Sequence, residues 1–568
     1  MQAGVSVATL LWGRRMTRDP GDEFVGLDFQ STDIGIEEDE DEPLPTERST
    51  GYLRRRRDRA AKRLFQALGR VAAAGPFFRM IWAVDRIGDG DRKAFGRFAR
   101  RHKEHEEWAS GPHKFHKWTL ESLVNAYLRS SPLRRRGNRL NKSLDTLNLG
   151  SPIHIMQLMN ELENADDGLV LQRLDVIGEI HRLAQRQFHW QRGKVNKAAF
   201  FKSAYLYTFP EAADYFEAKF GISIHDFCFS GFALFAMLSE HPAVQIKPKV
   251  INVPIGADKL VKGFAMFARS EEVIRREAAR MPQVTTHSAY QTSVLRKWPC
   301  ISFPKEGVMY GPIPHLVVER FTNGLYYDLV DNDGKLRDLI GKRFESYCKL
   351  LLEALLQGLT VAGEFKYGRD NVDSPDLFLA RGNETVAIIE CKAKKASIAV
   401  KLGEEPDVLE GSALDELAKG AFQIWRFRSH VRRGLAKPPG GKLADQAAAV
   451  VVFLDSWMET SHKQQEEVLR RARVMSASKD PKIEPVDQVP IAFCNVDDLE
   501  HVLHRCTDDS LLRVLAEASM PERAGWLLSS LHSEVAPGVD EDKGDPFDQY
   551  LSDTIKWWPE KWDGRGQR

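Results

Sequence analysis

The sequence predicts a multidomain α + α/β protein, with a mostly helical N-terminal region followed by an α/β domain on a mixed central sheet. Three observations predict it. Apolar residues recur at helical spacing between about residues 52 and 280. Short β-branched and aromatic runs take over after about 295, and from 335 onward helix and strand patterns alternate. The 568 residues are enough for roughly three to four domains of about 150 residues.

The first helical signal runs from Tyr52 to about Ala83 through Leu53, Ala60, Leu64, Ala67, Leu68 and Val71. A second, Trp118 to Arg129, stops at Ser131-Pro132. Further helices are expected at Ile153–Leu162, Leu169–Arg186 and Glu271–Arg280, punctuated by Gly221 and His241-Pro242. Val294–Phe303, His315–Arg320 and Leu325–Leu329 carry strand-type composition between Gly, Pro and Asn breaks. A long amphipathic helix follows over Leu339–Leu359, then candidate strands at Phe365–Tyr367, Leu377–Ala380 and Thr385–Lys392. The rest reads as a helix (Ser412–Arg432), a buried strand (Ala447–Leu454), a polar helix (Gln464–Arg473), a short strand (Val489–Cys494) and a helix from Asp497.

These patterns divide the chain into an acidic tail (1–50), a helical region basic in its first part (51–290) and a short β-rich connector (291–334). An α/β domain (335–505) and a C-terminal helical tail with Trp557, Trp558 and Trp562 (506–568) complete it. No repeat of fixed period supports a solenoid.

Composition excludes several classes. The hydrophobic fraction of 43% is that of a globular protein, and no run approaches the roughly 18 apolar residues of a membrane span. At the start, Arg14 and Arg15 follow the apolar patch instead of preceding it, the wrong order for a secretory signal. The six cysteines are scattered without a CxxC pair, which reads as reduced thiols in a cytoplasmic protein.

The net charge of +1 hides an uneven distribution. Residues 1–50 hold eight more acidic than basic side chains, with six consecutive acids from Glu37 to Glu42. Residues 51–140 hold fifteen more basic than acidic ones, including Arg54–Arg57 and Arg134–Arg136. Such a block can meet nucleic-acid phosphates, or it can be a solvated helical surface paired with the protein's own acids. His102, His105, His113 and His116 form an HxxH-x7-HxxH pattern. Without cysteines and in a Lys/Glu-rich setting, it reads as protonatable histidines on a basic surface, not a zinc site. No phosphate loop, dinucleotide fingerprint or nucleophile elbow is present.

The informative chemistry lies between Ser374 and Lys392. Alternate residues of a strand share a face, so Glu390 and Lys392 point the same way from an apolar strand while Cys391 turns to the other face. Asp376 opens the preceding strand, and a hairpin at Arg381–Glu384 can bring the two carboxylates together. Unpaired charges at such a place would cost several kcal/mol each. Phosphodiester hydrolysis gives them a purpose. Asp376 and Glu390 are hard oxygen ligands for Mg²⁺, and Lys392 can position or deprotonate an attacking water and stabilise developing charge. Glu345, beside the apolar stripe of the long helix, is a third carboxylate, with Glu364 as the alternative acid. The bland reading makes Glu390 and Lys392 a surface pair on an edge strand and Asp376 a turn residue after Pro375.

This segment resembles the PD-(D/E)xK nuclease superfamily, the restriction-endonuclease-like fold. Pro375-Asp376 matches its PD element and Glu390-Cys391-Lys392 its (D/E)xK element. Glu345 looks like the carboxylate many members carry on the first core helix. Gln423 looks like the glutamine some branches place near the metal or substrate, although that branch's tyrosine position holds Phe427. The resemblance covers about 335–505. It implies an Mg²⁺-dependent nuclease (Mn²⁺ as a substitute) acting on nucleic acid, most often duplex DNA. Asp376, Glu390 and Glu345 would then be metal ligands, Lys392 would order the water, and Gln423 would hold substrate or lysine. By analogy the role is bacterial defence against foreign DNA, acting as a homodimer or with a partner protein, away from membranes. Two alternatives stay open: a nucleic-acid-binding or assembly module of the same fold, inactive alone or activated by a partner, and RNA as the substrate.

Overall fold

A computed structural model describes residues 47–111, 115–130, 143–170, 182–187, 190, 197–247, 254–282, 285–330, 334–396, 401–402, 411–456, 461–538, 543–544, 546–547 and 550–555. The acidic run Glu37–Glu42, His113, Arg134–Arg136, most of the helix expected at Leu169–Arg186, and Trp557, Trp558 and Trp562 lie outside the described residues.

The N-terminal region is helical, as expected: α1 (Glu47–Leu68), α2 (Ala74–Gly88), α3 (Lys103–Ser110), α4 (Lys117–Arg129) and α5 (Gly150–Val170). The single signal of Tyr52–Ala83 is two helices, because Gly69 to Ala73 interrupt the ladder. Then come α6 (Lys197–Tyr207), α7 (Pro210–Phe220) and α8 (Ile224–Glu240). Gly221 ends α7 at φ 63°, a conformation that glycine adopts without a Cβ clash. No single described helix is long and apolar enough to cross a membrane; α7 and α8 pass such a test only as a pair bent by 74°. Their apolar residues, Phe216, Phe227 and Leu234 among them, are buried in the core.

A four-stranded sheet joins segments far apart in sequence: β1 (Ala243–Gln245), β2 (Ala268–Ser270), β3 (Cys300–Phe303) and β4 (Val308–Tyr310), ordered β1-β4-β3-β2. Between its strands lie α9 (Ala257–Phe267) and α10 (Glu271–Arg280). The sheet is a partition. Val244, Ala268, Cys300 and Met309 face one hydrophobic core, while Ile301 and Tyr310 face a second, formed with α1 to α5.

Two strand expectations are corrected here. His315–Phe321 is a helix, α11, and so is Leu325–Val330, α12. Val317 and Val318 have β-type side chains, but both are wholly buried in one core with residues of α8, and Thr322 closes the last turn onto the Val318 carbonyl. Tertiary packing overrides strand propensity in such runs.

The C-terminal sheet is sandwiched. The long helix α13 (Gly334–Leu355) precedes β5 (Thr360–Gly363), and a small hairpin pairs β6 (Lys366–Tyr367) with β7 (Val372–Asp373). The main strands follow: β8 (Leu377–Arg381), β9 (Glu384–Lys392), β10 (Lys442–Phe453) and β11 (Ala492–Asn495). Their order is β11-β10-β9-β8-β5; β5, β8 and β9 pair antiparallel, and β9, β10 and β11 pair parallel. The sheet is therefore mixed. The expected strand Phe365–Tyr367 does not join it: β5, ending at Gly363, takes the edge position, and Lys366–Tyr367 pairs only with β7.

Helix α14 (Gly411–Arg432) links β9 to β10, and α15 (His462–Lys479) packs beside it. Phe378, Ile388, Val451 and Phe453 face this pair. Leu377, Ile389, Cys391 and Val452 face α13 on the other side. Helices α16 (Val496–Leu503), α17 (Asp508–Ala518) and α18 (Leu528–Val535) complete that second layer. None of the six cysteines is in a disulfide, and all but Cys228 are buried.

Candidate functional site

The strand pleat sets the site. Asp376, immediately before β8, shares a face with Phe378; Glu390 and Lys392, ending β9, share a face with Ile388. Leu377 and Ile389 are register partners, so the start of one strand lies against the end of the next. The hairpin joining them turns at Gly382, φ 58°. Asp376 is held in place from the backbone: one carboxylate oxygen accepts the Cys391 N–H at 2.6 Å.

Glu390 is only 1% exposed. Its Oε1 accepts from Lys392 Nζ at 2.6 Å, and Lys392 also donates to the Gln423 side-chain oxygen at 3.0 Å. The other oxygen of Glu390, Oε2, is buried with no hydrogen-bond partner. Glu345 is half-buried on α13 and reaches the group electrostatically, as does exposed Glu364.

Crowded acids under low solvation hold on to protons. Burial, then repulsion from Glu390 and Glu345, pushes Asp376 up to about 9. Burial, then repulsion from Glu364 and Glu390, pushes Glu345 up to about 7. Glu364 is raised as well, by burial and then by Asp373 and Glu390. Burial alone would lower the Lys392 ammonium, but the Glu390 and Asp376 carboxylates outweigh it and hold that pKa above the usual lysine value.

The structure thus joins Glu390, Lys392 and Gln423 by hydrogen bonds, with Asp376 held next to them on the Cys391 N–H and Glu345 near enough to act electrostatically. Two features would suit a divalent cation, although Asp376, Glu390 and Glu345 do not bring ligand atoms within 4.8 Å of one another, a spacing that only Asp85, Asp89 and His315 reach among the described residues. One buried carboxylate oxygen has no partner, and the acids raise one another's pKa in a way that a cation among them would relieve.

One residue of the site escaped the sequence. Gly420 lies on α14 directly over the pair: a Cβ there would stand 3.1 Å from Lys392 Cε and 3.3 Å from Glu390 Cγ. Its absence lets the helix close on the strand end. A glycine inside a helical pattern was the available signal, since such a residue often has a packing reason.

A second ligand-type group was equally hidden: Asp85, Asp89 and His315 place their ligand atoms within 4.8 Å of one another. The Lys117 ammonium bonds both carboxylates at 2.8 Å, and Arg86 bonds Asp89 at 3.0 Å. Two cations balance two anions, so the group acts as a clamp between α2 and α4. The i, i+4 pair of Asp85 and Asp89, at the C-terminal end of α2, is legible in sequence, but distant His315 is not. Of the histidine pattern, His102 and His105 touch edge-to-face and His116 stacks on Trp118.

No protein-family model, curated protein or solved structure matches this chain.

Proposed function

We propose that the chain is a metal-dependent nuclease that hydrolyses phosphodiester bonds of DNA in the cytoplasm, with its centre at Asp376, Glu390 and Lys392. One observation carries the reading: a backbone-anchored aspartate, a buried glutamate with an unpartnered oxygen, and a lysine bridging that glutamate to a glutamine converge on one strand end. A surface pair on an edge strand would be neither buried nor under a helix. Here β9 is central and Glu390 is covered by α14.

Asp376 and Glu390 would hold Mg²⁺, with Glu345 as the third carboxylate. Bound there, the ion would supply Lewis-acid charge to the scissile phosphate and lower the pKa of a bound water. The chain's own groups do the rest. Asp376, its geometry fixed by the Cys391 N–H, would have to lose its proton to serve as a ligand. Lys392 holds the attacking water beside the carboxylates and places positive charge where negative charge develops. Gln423 fixes the direction of the ammonium, so that the lysine does not collapse wholly onto Glu390.

The test is incubation of the full chain with supercoiled plasmid, linear duplex and single strands in Mg²⁺ or Mn²⁺, with an EDTA lane and Lys392→Ala. Nicking that disappears in both controls is the expected result. A thermal melt of Lys392→Ala separates lost chemistry from lost fold, because Glu390 is left buried without its ammonium. Cleavage that survives Lys392→Ala would place the chemistry elsewhere. Binding without cleavage would favour the binding-module reading.

A further inference from the structure

We infer that the outer face of α1 is a docking surface for the phosphate backbone of duplex nucleic acid. The inference rests on the nuclease reading for its partner, but on different residues.

Helix α1 turns Ala60, Leu64, Ala67 and Leu68 inward. Two of its arginines are used internally: Arg57 Nε bonds Asp166 at 3.0 Å and Arg63 bonds Glu161 at 2.6 Å, both acids on α5. Five other cations are exposed: Arg54, Arg55, Arg56, Arg59 and Lys62. At 3.6 residues per turn Arg55, Arg59 and Lys62 fall on one stripe opposite the buried face, with exposed Asp58 beside them, while Arg54 and Arg56 flank that stripe on either side. Among the described residues no carboxylate pairs with any of them; Arg59 bonds only the carbonyl of Arg55. Tyr52, 54% exposed, lies at the end of the same stripe.

Arg55, Arg59 and Lys62 lie within about 10 Å of helix, with Arg54 and Arg56 at its flanks and Asp58 as the acid among them. Their arrangement suits an external polyanion. The stripe is about as long as three nucleotide steps at roughly 3.4 Å each. Guanidinium groups match phosphate oxygens in pairs, and a helix packed on α5 holds them ready in advance. An acidic membrane is the poorer match, because the stripe lacks the large apolar face that interfacial helices bury.

Fluorescence anisotropy with a labelled duplex, in EDTA so that binding is read without cleavage, tests this across salt concentrations. Each phosphate contact contributes about 0.9 to the slope of log affinity against log salt. Replacing four of the five (Arg55→Gln, Arg56→Gln, Arg59→Gln, Lys62→Gln) should flatten the slope by about 3 to 4 and leave the melting temperature unchanged. The inner variant Arg57→Gln/Arg63→Gln should do the reverse, lowering the melting temperature and sparing the slope. A four-fold variant with the wild-type slope, no duplex binding by the wild type, or binding only to phosphatidylserine vesicles overturns the inference. The plasmid assay keeps the two readings apart. Cleavage with an unchanged slope rejects the surface alone, and a steep, stripe-dependent slope without cleavage rejects the nuclease alone.

Discussion

At the scale of single residues, the contact between Gly420 and the Glu390–Lys392 pair separates stability from activity. In an exposed helix interior, Gly→Ala gains about 0.5 to 1 kcal/mol from helix propensity. Here the new methyl would press on Lys392 Cε at 3.1 Å and Glu390 Cγ at 3.3 Å. The lysine tip is flexible and gives way, so the helix keeps most of its gain while the ammonium leaves its place between Glu390 and Gln423. Gly420→Ala is therefore expected to melt within a few degrees of wild type or above it, while plasmid nicking falls about tenfold or more, as a small displacement in a site can cause. Melting curves and initial rates on the same preparation check it. An alanine variant with full activity would mean that the position of Lys392 does not matter.

At the scale of elements, the site is where two strands and two helices bring acids into one poorly solvated place, and the consequence is a dependence on pH. Asp376 is raised to about 9 and Glu345 to about 7. Between the ordinary carboxylate range and those values, the folded chain binds more protons than the unfolded one. The stabilising contribution is therefore complete at low pH and is lost as pH rises through about 7 and then about 9. In EDTA, the melting temperature should fall between about pH 6 and about pH 9. Mg²⁺ should restore more of it at the alkaline end, where its ligands are already ionised. Asp376→Asn should remove most of the slope above neutrality and most of the Mg²⁺ effect; a slope unchanged by Asp376→Asn would reject the assignment. Most of this element-level picture was legible in the sequence. The apolar run before Glu390, the Arg381–Glu384 turn and the stripe of α13 each follow from local periodicity, and they placed Asp376, Glu390, Lys392 and Glu345. What was not legible depends on distant partners. His315–Phe321 is helical because its valines are buried in one core with residues of α8, β5 is an edge strand because β8 is there to pair with, and His315 meets Asp85 only through the fold.

At the scale of the whole molecule, one hydrophobic core runs from α6 through α13 and both faces of the boundary at residue 335. Phe201 of α6 stacks on Phe547 at 4.5 Å and meets Tyr347 of α13 at 6.4 Å, with Tyr205 5.9 Å from the same ring. The Arg343 guanidinium of α13 bonds the Tyr205 carbonyl. A fragment limited to 335–505 loses Phe201, Tyr205 and Phe547 together and exposes their side of α13. At about 1.5 to 3 kcal/mol for each large buried side chain, that loss is comparable with the roughly 5 to 15 kcal/mol by which a typical domain is stable. The fragment is expected to aggregate or to melt without a cooperative transition, whereas the full chain melts cooperatively; circular dichroism and calorimetry of the two decide it. A sharp transition in the fragment would show that the α/β unit stands alone. Failure of the fragment would make the helical region part of the site's own scaffold, because the helix that α6 supports is the one that carries Glu345 to the strand end.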